Sequence, residues 1–255
     1  MEISLYIDQI SCVGCGKCVP YCPMGAIDIS ESHKAVVDEK ECVECGVCVR
    51  NAPCPVKAIH FNELEWPRIL RRFFSDPNFS HSTTTKGMGR GTAEMKTNDV
   101  TGRYGRGEVG IGLELGRPST GVWFKDIEKV TKHLAPLNIG YEEKNPLTVL
   151  LEDPDKGIFK EEVMGEKLLS TIVEFKVPID KLLETLKYIK ELDGKLDTVY
   201  SVFICTRAEK DGSLPNIDLL KHNGYWVSPN AKHNVGMGRP YFMNDSPAEV
   251  VERSC

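Results

Sequence analysis

Cys12-Val13-Gly14-Cys15-Gly16-Lys17-Cys18-Val19-Pro20-Tyr21-Cys22-Pro23 decides how the amino-terminal part of this chain is read. A near copy follows as Cys42-Val43-Glu44-Cys45-Gly46-Val47-Cys48, and then Cys54-Pro55. Eight of the ten cysteines fall in these two runs. Each run has three closely spaced thiols and a more remote one followed by proline. The second copy carries two extra residues before its last cysteine, across Arg50 to Pro53. A loop that wraps three thiols around one object must turn tightly. Gly14, Gly16 and Gly46 supply backbone angles that other residues resist. The peptide N–H groups of such a loop can point at the sulfurs and offset their charge. Pro23 and Pro55 lack an N–H and stiffen the exit from each run.

Three metal or crosslink chemistries compete for this pattern. Structural zinc favours two Cys-x-x-Cys pairs set well apart, and three thiols at this spacing are wasteful for a tetrahedral ion. A disulfide framework suits a small secreted domain. Met1 to Ile10 holds Glu2 and Asp8 and no long apolar run, so no signal peptide is expected there. The first run's C-x2-C-x2-C-x3-C-P spacing is the bacterial iron–sulfur signature. Clusters so held carry electrons, or serve only as structural staples.

Residues from about Ile3 to Asn62 resemble a bacterial-type dicluster ferredoxin, which is about a quarter of the chain. Ala26-Ile27 follows the first motif and Ala58-Ile59 the second, as in that family's internal duplication. Ile3 to Ile7 reads as the lead-in strand and Ala35-Val36-Val37-Asp38 as the hairpin strand between the halves. The resemblance implies two [4Fe–4S] clusters, with each remote cysteine crossing to the other cube. Carried onto this chain, Cys12, Cys15, Cys18 and Cys54 hold cluster I, and Cys42, Cys45, Cys48 and Cys22 hold cluster II. The insertion at Arg50 to Pro53 departs from the family. It loosens the pseudo-symmetry and is expected to re-aim a surface near cluster I.

The chain of 255 residues suits two domains of α+β class: a dicluster domain over 1–65, a Gly/Arg-rich linker or binding segment over 66–108, and a second domain over 109–255. The first is too small to rely on its apolar core, so metal binding and folding are expected to be coupled there. Charge is uneven along the chain. Residues 1–65 hold five basic and ten acidic side chains, 66–121 hold nine and five, and 122–255 hold 18 and 22. No apolar run reaches membrane-spanning length, so no membrane span is expected. Eight cluster-forming thiols imply a reducing compartment, hence the cytoplasm. Basic and aromatic residues are not interleaved as nucleic-acid binding requires.

Trp66-Pro67-Arg68-Ile69-Leu70-Arg71-Arg72-Phe73-Phe74 reads as a short basic amphipathic helix opening at Pro67 and linking the domains. Ser75 to Gly107 has no hydrophobic period. Its densest parts, Lys86-Gly87-Met88-Gly89-Arg90-Gly91 and Gly102-Arg103-Tyr104-Gly105-Arg106-Gly107, read either as an anion nest or as a solvated linker that orders against a partner. Gly105 to Gly110 matches G-x-G-x-x-G, but it precedes a strand instead of following one, so no dinucleotide site is read from it. Gly87-Met88-Gly89-Arg90 recurs as Gly236-Met237-Gly238-Arg239, and Gly116-Arg117-Pro118 as Gly238-Arg239-Pro240. If these segments border one cavity, Arg90, Arg117 and Arg239 form an anion site.

Beyond residue 108, strands are expected at Val109 to Leu115, Thr148 to Leu151, Ser170 to Val177 and Asp197 to Thr206. Helices are expected at Trp123 to Leu134 and from Pro178 to Gly194. The order is βαββαβ, called ferredoxin-like, with an antiparallel four-stranded sheet and both helices on one face. It also resembles the order of ACT-type regulatory domains, which implies a dimerising or ligand-binding sheet. Asn216 to Lys221 reads as a short helix, Tyr225-Trp226-Val227 as an edge strand, and Asn244 to Cys255 as a surface tail. Cys205 reads as a small core residue and Cys255 as a terminal thiol. The six histidines and the serines form no hydrolase or metal pattern.

The leading expectation is an electron-transfer protein or subunit that relays single electrons through two [4Fe–4S] clusters to or from a larger redox enzyme. No catalytic residue is read from this chain. One alternative is a redox-enzyme subunit that binds an anionic substrate or cofactor. Another is an ACT-like regulator, with a homodimer formed through the second domain.

Overall fold

The structure is a computed structural model and describes residues 5–79 and 95–229. The first lobe contains β1 (Tyr6–Ile7), β2 (Ile27–Ile29), β3 (Ala35–Val37), α1 (Val47–Asn51) and β4 (Ile59–His60). β1 pairs with β4 and β2 with β3, both antiparallel. The two halves share matching backbone hydrogen bonds. Asp8 N donates to Ala58 O at 2.7 Å, and Asp38 N to Ala26 O at 2.8 Å. Cys12 N donates to Asp8 O and Cys42 N to Asp38 O, both at 2.9 Å. Leu5, Ile7, Ile27, Ala58 and Ile59 form a small core together with buried cysteines.

The two-residue insertion shows its effect in a place the sequence reading did not assign. The first copy makes only a 3₁₀ turn at Val19–Tyr21, whereas the second makes the longer α1. From α1, Arg50 reaches back to Cys45 O at 2.6 Å and out to Asp76 at 3.0 Å. Through Arg50 the insertion reaches the second cysteine loop.

α2 (Ile69–Ser75) follows, and after it α3 (Asn98–Thr101) and β5 (Glu108–Leu115). The chain continues through β6 (Val122–Trp123), α4 (Phe124–Leu134), β7 (Gly140–Tyr141), β8 (Leu151–Asp153), β9 (Ile158–Phe159) and β10 (Lys167–Leu168). β11 (Thr171–Pro178), α5 (Leu182–Lys190), β12 (Tyr200–Cys205) and α6 (Pro215–His222) complete the described elements. The main sheet runs β12-β5-β11-β7 and is antiparallel throughout.

Alternation along β5 and β11 sends Ile111, Leu113, Val173 and Phe175 to one face. There they are buried with Phe124, Ile127 and Val130 of α4 and Leu182 and Ile189 of α5. Each such side chain contributes about 1.5–3 kcal/mol by leaving water. His133 of α4 stacks on Tyr188 of α5 with ring centroids 4.3 Å apart. The opposite face needs glycine. A Cβ on Gly112 would stand 2.1 Å from the Phe203 ring, and one on Gly110 would stand 3.1 Å from Met95 and Tyr104.

Short strands and turns are inserted between the six elements expected for this half, and one expected strand is replaced. Thr148 to Leu151 is not a strand of the main sheet. Thr148–Leu150 curls into a 3₁₀ turn behind Asn145, whose Oδ1 accepts Leu147 N at 2.9 Å, and Leu151 starts the separate β8–β9 hairpin. The short β7 takes the edge position instead. Pro178 ends β11, and a 3₁₀ turn at Ile179–Lys181 precedes α5. Tyr225 to Val227 is irregular, with Tyr225 and Val227 packed on the core and Trp226 exposed. Among the described residues, no helix is long and apolar enough to cross a membrane.

Candidate metal centre

The eight cysteines separate into two groups of four. One cavity is lined by Cys12, Cys15, Cys18 and Cys54, with Ile7, Val13, Ala58 and Ile59 among its apolar walls. The other is lined by Cys42, Cys45, Cys48 and Cys22, with Leu5, Ala26, Ile27 and Val43. The two cavities are equal in size. The remote cysteine of each run therefore faces the cavity of the other run. Local geometry fixes those remote thiols: Cys22 Sγ accepts Ala26 N–H at 3.2 Å, and Cys54 Sγ accepts Ala58 N–H at 3.3 Å.

The donor set discriminates between metals. Among the described residues, no three His, Cys, Asp or Glu side chains converge on a point where one ion could sit. Four thiols ringing a void suit a multi-iron cube, whereas a lone zinc draws its ligands to a single centre. None of the eight is in a disulfide. Burial pushes the Cys18 and Cys45 thiols up, and burial together with neighbouring thiols pushes Cys48 up to about 12. At neutral pH such groups keep their protons until a metal draws them off.

The two cavities differ in what surrounds them. Cys15 is exposed and Val13 is 61% exposed, whereas Cys45 and Val43 are buried. The cover over the second loop comes from outside the lobe. Arg71 of α2 is buried, and its Nη1 donates to the carbonyls of Glu39, Lys40 and Cys42 at 3.1, 2.8 and 2.7 Å. The same guanidinium bonds Glu166 and, at 3.3 Å, Gly165 O in the second half of the chain. Arg68 donates to Glu44 Oε1 from Nε at 3.0 Å and from Nη2 at 2.8 Å. Glu44 Oε2 accepts Leu5 N at 3.1 Å. In the first loop the carbonyl equivalent to Cys42 O belongs to Cys12 and takes Lys34 from within the lobe.

These arginines are the functional residues the sequence reading missed. A basic linking helix was expected, but its cations turn inward onto partners distant in sequence. The run of charge was the only signal. Neutralising carbonyls and carboxylates beneath the second half requires cations, and α2 brings them.

Of the three arginines expected to form an anion site, Arg117 alone lies among the described residues. Arg117 is half-exposed, pairs with Glu114 at 3.1 Å and donates from Nε to Ser170 Oγ at 3.2 Å. Arg90 and Arg239 lie outside the described residues, as do both Gly-Met-Gly-Arg repeats and Cys255. Cys205 is half-buried at the end of β12, opposite Gly110. The G-x-G-x-x-G stretch is a turn running into β5, where Gly105 N donates to Glu108 Oε2 at 2.8 Å.

No curated protein and no solved structure matches the chain. The family model described as a 4Fe-4S dicluster domain matches residues 6–61, the segment that contains all eight of these thiols. With thiols ringing two equal voids and a family match over the same residues, residues 6–61 are a 4Fe-4S dicluster domain.

Proposed function

We propose that this chain relays single electrons through two [4Fe–4S] clusters to or from a larger redox enzyme. Cluster I is assigned to Cys12, Cys15, Cys18 and Cys54, and cluster II to Cys42, Cys45, Cys48 and Cys22. The observation that carries the reading is the crossing of Cys22 and Cys54 into opposite cavities, which ties both sites to one small apolar core. The bound clusters would supply reversible one-electron chemistry. The chain's own groups hold the thiolates, shield them from water and stabilise their charge through the Ala26 and Ala58 N–H groups. Tight packing of two such sites allows electrons to pass between them without protein rearrangement. We read the four-stranded sheet and its two helices as a split βαβ arrangement with inserted hairpins, serving as the base on which the relay is mounted. Cluster survival calls for a reducing compartment, for which the cytoplasm is the natural assignment.

The test is an oxygen-free preparation of the full chain. Two clusters predict eight irons and eight sulfides per chain. Dithionite should then produce paramagnetic signals from two interacting centres. Metal-loaded protein that holds only zinc, or that gives no paramagnetic iron signal after reduction, overturns the reading.

A further inference from the structure

The internal duplication supplies its own control for what covers a cluster face. Val43 and Met24 of the second site correspond to Val13 and Val56 of the first. Val43 is 1% exposed, between Cys42 and Glu44, whose carbonyl and carboxylate take Arg71 and Arg68. Met24 is packed so closely on the second half of the chain that a Cβ on Gly121 would lie 2.7 Å from its Cε. The equivalent surface over the first site lies open. Val13 is 61% exposed, Val56 38% and the neighbouring Ile10 94%, and Cys15 is the exposed ligand candidate beneath them.

We propose that this open face is where the chain exchanges electrons with a separate redox protein, one whose apolar contact is ringed by carboxylates. The inference rests on the relay reading above and adds the place and the kind of partner. Electron transfer weakens steeply with distance, so the half whose thiol reaches the surface is the port. Charge at the rim selects the partner. Lys17 is the charged side chain lining the first cavity, and exposed Lys57 adjoins Val56. Residues 1–65 are acidic as a whole, with five basic and ten acidic side chains. Screening at physiological salt, over about 8 Å, makes the nearby lysines count for more than remote carboxylates.

The experiment compares reduced wild-type holoprotein with the double variant Lys17→Glu/Lys57→Glu, using two acceptors. One is oxidised flavodoxin, an acidic FMN protein, and the other is ferric cytochrome c, a basic haem protein. In the first reaction one electron leaves the dithionite-reduced holoprotein, and FMN becomes its semiquinone with a proton from solvent. In the second, ferric haem becomes ferrous and no proton moves. Iron content and the reduced-state spectrum are recorded first, to show that both clusters are loaded.

The variant should reduce flavodoxin about tenfold or more slowly at low salt and cytochrome c no more slowly than wild type. Val13→Asp should act in the same direction, while Val149→Asp, on the exposed surface of the other half, should change neither rate. Unchanged flavodoxin kinetics in all variants, or equal slowing by Val149→Asp, overturns the docking face. So does a wild-type dimer that Val13→Asp dissociates, because the face then belongs to a second copy. Wild-type protein that holds iron but cannot be reduced defeats the relay reading itself, which is a separate result.

Discussion

Gly14 in the first cysteine loop and Glu44 in the second occupy the same turn, with φ of +68° and +57°. At Gly14 the backbone packs so tightly that a Cβ would fall 1.8 Å from the His33 carbonyl oxygen. The first loop thus closes on its own half, and only glycine fits. The second loop carries a glutamate in the left-handed region, at a cost of about 1–2 kcal/mol. Its side chain repays that by holding Arg68 and Leu5 N. One fold of the chain is self-contained, and its copy is completed by a helix from elsewhere. Duplicated loops need not be stabilised in the same way.

The largest expected effect comes from taking the metal away. Chelating iron should remove protection from both loops, because the lobe's own core is small. The loss should be unequal. Hydrogen exchange read by mass spectrometry should show 11–18 fully exchanging, 42–48 slower under α2, and β5 and β11 unchanged. Equal exchange in the two loops would remove the contrast.

Arg71→Met comes next. It strands the Glu166 carboxylate and strips donors from three loop carbonyls, so denaturation of the loaded protein should lose about 3–5 kcal/mol. Arg71→Lys should recover only part, since an ammonium cannot span both sides of the joint. Gly14→Ala should also destabilise, by about 1–2 kcal/mol for the turn alone with the clash against the His33 carbonyl added. Iron analysis with spectroscopy should find the first site depleted and the second filled.

The smallest effect concerns acid. Burial works to raise the Glu108 carboxyl, but the Gly105 N–H and Lys176 outweigh it and hold the group below its usual value of 4.5. A lowered folded value means the stabilisation is fully present above pH 4.5 and is lost as pH falls through that lower value. Lys176 is 2.9 Å away and partly exposed, so the pair is worth at most about 1 kcal/mol. Glu108→Gln should flatten this part of the acid-unfolding curve of β5, well away from the cysteine loops.

The cysteine lobe was legible because its chemistry is local. Spacing, glycines and the repeated Ala-Ile pairs lie within one short stretch, and the eight thiols line two cavities, four in each. The strong periodicities of β5, α4 and β11 were legible for the same reason, since one buried face repeats within each element. Arg68 and Arg71 were not, because sequence shows a cation but not whether its partner is water or a carbonyl. Their partners lie between 24 and 95 residues away. The Thr148 to Leu151 run misled because apolar residues fill a 3₁₀ turn as readily as a short strand, and Asn145 decided the matter. Gly140–Tyr141 is too short to show any period.

Among the eight thiols of the dicluster domain, Cys15 alone is exposed, and this gives the lobe a weak corner. Dissolved oxygen meets that sulfur first and the thiols under α2 last. Bleaching of the loaded protein in air should therefore advance inward from one end, with the lingering colour in the sheltered half.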